Sequence, residues 1–159
     1  MTDYTLEAES GSFHITPEGF YHYAVSFLNH AQIDNREKRF SPVPYYLICH
    51  ALELGLKAYL LSKNYQIEKL KKKLGHDLEK CFKKANEKFL ENIFKTKNDE
   101  GEALQKANKY YSGKGFEYFD VITAASGGKD LPEIGVLKEM ASRLLMEIKK
   151  SVIPGNKAN

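Results

Sequence analysis

Tryptophan is absent from this 159-residue chain, arginine is confined to Arg36, Arg39 and Arg143, and cysteine to Cys49 and Cys81. Each scarcity excludes something. So little arginine leaves few planar guanidinium forks for bidentate phosphate recognition. Two cysteines without C-x-x-C spacing make neither a disulfide framework nor a zinc ribbon. Both fall at core-facing helical positions and read as reduced thiols of a cytoplasmic protein, with a Cys49–Cys81 disulfide as the alternative. No run of 18 charge-free apolar residues occurs, so no membrane span is expected. The opening MTDYTLEAES is acidic and polar, the reverse of a secretory leader. Alternating apolar–polar patterning is nearly missing and no internal repeat is present, which argues against a sheet-based or solenoid fold.

What the chain does have is helical periodicity. The first dozen residues are expected to be frayed or extended. Thr16-Pro17-Glu18 then supplies a cap and a first-turn proline for a helix over 17–33, with Phe20, Tyr23, Ala24, Phe27, Leu28 and Ala31 on one face. A charged connector over 34–39 leads to Ser41-Pro42-Val43-Pro44, which starts a second helix ending near Ser62. A helical turn within 67–74 precedes Gly75-His76-Asp77. A third helix is expected over 77–95, with Leu78, Phe82, Ala85, Phe89 and Ile93 inward. Asn98-Asp99 opens a fourth that ends near Tyr111 and is broken by Ser112-Gly113-Lys114-Gly115. Residues 116–119 read as briefly extended, and the glycine-rich stretch to Lys129 as loop. Asp130-Leu131-Pro132-Glu133 launches the last helix, striped by Leu137, Met140, Ala141, Leu144, Leu145 and Ile148. The pattern predicts one all-α domain over 1–159, an up-and-down bundle of about five helices with its core over 17–150 and a loose tail over 152–159.

Charge is unevenly spread. Between Lys57 and Lys97 twelve lysines face five acids, a surplus of +7, and the chain total of +3 leaves −4 elsewhere. Lys69, Lys71, Lys72, Lys73, Lys80 and Lys84 form the candidate nucleic-acid face, although a lysine-rich solvated helix face has the same signature. Of the aromatic residues, Tyr110, Tyr111, Phe116 and Tyr118 are the set expected at the surface, where bases could stack.

The most informative segment is 45–61, YYLICHALELGLKAYLL. It is apolar all round except for His50, Glu53 and Lys57, which fall within about 60° of one another on a helical wheel. Such a helix belongs at the centre of a bundle, where each unpartnered polar group costs ~1–3 kcal/mol. The stripe is therefore a ligand site or a paired network, with Glu53 bonding Lys57 at i,i+4 and His50 reaching another helix. His76 and Asp77 are further binding candidates. The alternative for them is local: His76 capping the third helix with Glu79 at N3, and Asp77 in its first turn. A carboxylate-bridged metal pair needs two Glu-x-x-His motifs. The chain has only the reversed His50-x-x-Glu53, so neither a metal nor a cofactor is expected.

His50-x-x-Glu53-x-x-Leu56-Lys57-Ala58-x-Leu60, followed by Gly75-His76-Asp77-Leu78, resembles the HEPN superfamily, the higher eukaryotes and prokaryotes nucleotide-binding domain. The resemblance spans roughly 18–150 and is carried mainly by 50–78. The segments Asn108–Tyr111 and 116–119 are similar to one that some bacterial members place before their last helix. It implies a HEPN-like bundle and a homodimer. The implied roles are binding RNA or a nucleotide, or assembling with a partner such as a nucleotidyltransferase in a toxin–antitoxin or defence-like system. Ribonuclease members carry Arg followed four to six residues later by His. No such pair occurs here, and the closest imitation is Lys71 to His76. The resemblance thus implies a non-catalytic member. The alternatives are a divergent metal-independent ribonuclease using His76 with Lys71 or Lys72, and a pure dimerisation scaffold.

Overall fold

A computed structural model of the chain describes residues 4–8, 11–31, 40–118, 125 and 127–155. Strands β1 (Tyr4–Ala8) and β2 (Gly11–Ile15) pair antiparallel, with Tyr4 opposite Ile15 and Ala8 opposite Gly11. The amino-terminal segment is thus extended, and paired rather than frayed. Helices α1 (Pro17–His30), α2 (Val43–Ser62), α3 (Ile67–Lys69), α4 (Leu78–Asn86), α5 (Glu100–Tyr111) and α6 (Ile134–Val152) follow. The protein is an all-α helical bundle carrying this small hairpin. Residues 32–33 of the expected first helix, the connector 34–39, residues 119–124 and 126 of the expected loop, and the tail 156–159 lie outside the described residues.

α2 is the central rod, packing against α1, α4, α5 and α6. The sequence sets both its ends. Pro44 lies in its first turn, where a missing N–H costs nothing. At its other end Asn64 adopts a left-handed conformation, the Asn64 N–H donates to the Leu61 carbonyl and the Tyr65 N–H to the Leu60 carbonyl. That is a Schellman closure with asparagine in the usual glycine place. Thr16 caps α1 as expected, its hydroxyl accepting from the Gly19 N–H at 3.0 Å. The inward tyrosine of α1 is Tyr21, whose hydroxyl donates to the Leu145 carbonyl, while Tyr23 faces solvent. The expected stripe of α6 is fully buried. Gly55 admits it to α2: a Cβ there would stand 2.7 Å from the Leu145 Cδ2.

Two expectations fail locally. The third helix does not run to 95; α4 stops at Asn86, and Phe89 takes a positive φ of 67° before a 3-10 turn over Leu90–Asn92. The break shifts the inward register by one residue. Phe89 and Ile93 are exposed (68% and 39%), and Leu90 and Phe94 are buried instead. The Tyr59 hydroxyl donates to the Lys88 carbonyl at 2.8 Å, satisfying backbone that the lost helix leaves open. Residues 116–118 are not extended either. Turns around Gly113-Lys114-Gly115 fold Phe116 back so that its ring stacks on Tyr110 and Tyr45, with centroids at 5.8 and 5.6 Å. Phe116 and Tyr111 are therefore core, and of the expected surface aromatics Tyr118 is the exposed one.

Candidate functional site

Glu53 and Lys57 of the α2 polar stripe are buried and paired, and His50 is half-buried at the end of it. Glu53 is 1% exposed. Its Oε1 accepts from the Lys57 ammonium at 2.5 Å, one helical turn on, and its Oε2 from the Tyr111 hydroxyl at 2.5 Å. The same Oε2 lies 3.0 Å from His76 Nδ1 and 3.9 Å from His50 Nδ1. Lys57 also donates to the Gly75 carbonyl at 2.7 Å. His50 Nδ1 lies 2.7 Å from the Tyr111 oxygen. Three parts of the fold thus meet on one carboxylate: α2, the last residue of α5, and the link before α4. The network reading of the stripe is what the geometry contains, with His76 added to it.

Burial pushes the Glu53 carboxyl up, but the Lys57 charge and hydrogen bonds from Lys57, Tyr111 and His76 outweigh it and hold the group below the ordinary carboxylate range. Burial and the Glu53 charge raise the Tyr111 phenol. Tyr111 is therefore neutral with a single proton, and Glu53, ionised, only accepts. The Tyr111 proton goes to Glu53, so the proton between His50 and Tyr111 belongs to His50 Nδ1. His76 donates through Nδ1 by the same logic. Burial lowers the His50 imidazole, an effect the Glu53 charge opposes and does not cancel. The ring stacks on Tyr46 at 5.5 Å and meets the Phe27 edge at 4.5 Å.

The link before α4 delivers His76. After α3 the chain makes a π-helical turn over Leu70–Leu74, closed by the Gly75 N–H on the Leu70 carbonyl at 2.9 Å. Leu70 and Leu74 point into the core and Lys71, Lys72 and Lys73 point out. Gly75 then adopts φ 54°, ψ −129°, a region open to glycine and closed to side chains with a Cβ. This reversal turns the next residue onto Glu53, with the His76 side chain 51% exposed.

His76 is not the cap of α4. Asp77 is, accepting from the Lys80 N–H at 3.1 Å. Its Oδ1 also accepts from Asn108 Nδ2, and its Oδ2 pairs with Lys80 at 3.4 Å. Asp77 thus sits beside the Glu53 cluster, engaged in capping. Lys69 is exposed alongside the 71–73 triplet. Lys80 shares its charge with Asp77 and Lys84 with Glu87. Cys49 and Cys81 are buried free thiols, Cys81 pushed up by burial to about 12.

Two residues of the site, both in the Asn108–Tyr111 segment, are not expected from the sequence to join this network. Tyr111 is the hinge of the network. Asn108, one turn earlier, bridges α5 to α4: its Oδ1 accepts the buried Leu78 N–H at 2.8 Å and its Nδ2 reaches Asp77 and Glu79. The available signal was a polar residue lying on the stripe of Leu104, Ala107 and Tyr111. Among the described residues no group of three His, Cys, Asp or Glu side chains is arranged to hold a metal ion, and no helix is long and apolar enough to cross a membrane. Comparison with protein-family models, with curated proteins and with solved structures finds no match to this chain.

Proposed function

We propose that this chain is a divergent HEPN-like module that binds RNA or a nucleotide without cleaving it, through the lysine-bearing π-helical turn and the histidine rim beside it. One observation carries the reading. The exposed triplet Lys71–Lys73 ends three residues before His76, whose imidazole bridges that basic turn to the buried Glu53. Cationic charge for phosphate and flat rings for a base or ribose adjoin there. The homodimer, a partner such as a nucleotidyltransferase, and a toxin–antitoxin or defence-like setting belong to the same proposal, resting on the resemblance alone, and the cytoplasmic setting rests on the two free cysteines.

Electrostatic contact through Lys69, Lys71, Lys72 and Lys73 predicts a single-strand salt slope near −3, so affinity falls about 50-fold between 50 and 200 mM salt. Fluorescence anisotropy with a labelled single-stranded RNA measures this. The triple variant Lys71→Glu, Lys72→Glu, Lys73→Glu is expected to flatten the slope and weaken binding. No binding at 50 mM salt ends the reading.

Ribonuclease activity is the second reading, favoured by two imidazoles that both turn Nδ1 inward and leave Nε2 outward, as acid–base work on a phosphodiester requires. It predicts RNA cleavage by purified protein that His76→Ala abolishes. Intact RNA at high protein concentration rejects it.

A further inference from the structure

We infer that His50 Nε2 is a hydrogen-bond acceptor that selects a ligand bearing a ribose hydroxyl, so that the site favours RNA over DNA. The inference rests on the RNA-binding reading and adds the feature of the ligand that is recognised.

The argument is a count of protons. Glu53 accepts and cannot donate, Tyr111 has one hydrogen and gives it to Glu53, and His50 must therefore donate from Nδ1 to the Tyr111 oxygen. A neutral imidazole with hydrogen on Nδ1 carries a bare lone pair on Nε2. Nε2 meets no hydrogen-bond partner among the described residues, and the side chain remains 19% exposed. Tyr46 stacking on the ring and the edge-on Phe27 hold its plane, and a flip within that plane would break the Nδ1 bond to Tyr111. The structure thus holds an acceptor in a fixed direction on the same Tyr111 ring that His76, the residue following the basic turn, also meets. A phosphate oxygen, itself an acceptor, is repelled there. A hydroxyl is not, and the 2′-hydroxyl is what separates RNA from DNA.

The charged and titratable groups around His50 are Glu53, Lys57 and Tyr46 on α2, His76 before α4, Tyr111 ending α5, and Glu117 beyond it; α1 contributes the uncharged Phe27. Burial leads these influences and favours the neutral ring. The acceptor therefore persists at neutral pH and becomes a donor only on acidification below the ordinary histidine value.

The experiment measures affinity of the full chain for matched single-stranded RNA, DNA and 2′-O-methyl RNA at 50 mM salt and pH 8. A neutral hydrogen bond gained by RNA alone predicts a preference of about 2- to 10-fold over both other strands. The preference holds from pH 8 to about 6.5 and falls at lower pH as Nε2 gains a proton. In His50→Phe it collapses to near unity, while the salt slope set by the lysines is unchanged. If RNA and DNA bind equally, if 2′-O-methyl RNA binds like RNA, or if His50→Phe keeps the preference, the inference is overturned and the RNA-binding reading stands. If none of the strands binds, both fall. Because the three-strand comparison and the pH series use the unaltered protein, a variant that misfolds does not decide the matter.

Discussion

Replacing Lys57 by methionine tests the central network most directly. The change keeps an unbranched side chain, one atom shorter, and removes one charge. It leaves Glu53, 1% exposed, ionised without a counter-charge, and takes the donor from the Gly75 carbonyl. Breaking a buried pair from one side costs about 3–5 kcal/mol, a large share of the ~5–15 kcal/mol available to a domain. At roughly 2–4 °C per kcal/mol for a chain of this size, the melting temperature should fall by about 6–20 °C at pH 7. The sign of the pH dependence follows from Glu53. Burial raises its carboxyl, and Lys57 with its fellow donors lowers it further than burial lifts it, so the folded value lies below the ordinary 4.5. In the natural protein the group's contribution is present above that unfolded value and is lost as pH falls through the folded one. Without Lys57 burial is no longer outweighed, the folded carboxyl rises, and protonation relieves the variant. Its deficit against the natural protein is therefore greatest near neutrality and shrinks toward pH 4. Thermal melts followed by circular dichroism at pH 7 and pH 4 read both effects. The double variant Glu53→Gln, Lys57→Met, having no buried charge, should recover much of the loss. A single variant within 1 kcal/mol of the natural protein at pH 7, or a deficit that does not shrink on acidification, refutes the reasoning.

Two further substitutions probe the frame around the site. Asn108→Ala strands the buried Leu78 N–H and should cost about 1–3 kcal/mol in urea denaturation; an unchanged midpoint would mean that water or a neighbour replaces the amide. Phe89→Gly relieves an exposed side chain held at positive φ and should stabilise by about 0.5–1 kcal/mol, seen as a raised midpoint, whereas a loss would show that the ring is needed where it is.

The bundle was legible because its signals are local and mutually consistent. The Thr16-Pro17 start, the wholly apolar α2 and the clean stripe of α6 each name their own element. Half of the site was legible for the same reason, since His50, Glu53 and Lys57 share one face of one helix. Tyr111 was not, because its partner lies 58 residues away and nothing local marks a tyrosine that closes a helix as a donor to a distant carboxylate. The third helix was overextended because Phe82, Phe89 and Ile93 keep helical spacing through a point where the backbone turns. There the core takes Leu90 and Phe94, and burial of those two side chains overrides periodicity. Of the two readings of His76, the capping one fails because Asp77 takes that place. The contact that decides its role comes from α2, 23 residues earlier.

One ammonium serves both a buried carboxylate and the carbonyl at Gly75, so the stretch of chain from Lys57 to Gly75 forms a ring of fixed perimeter. A π-helical turn already stows one residue more per closure than an α-helical one, leaving no slack for another. Lengthening or trimming residues 63–74 by even one position would swing the lysine triplet off its heading or pull Gly75 away from Lys57. What looks like a dispensable basic connector is thus tied at both ends through Lys57.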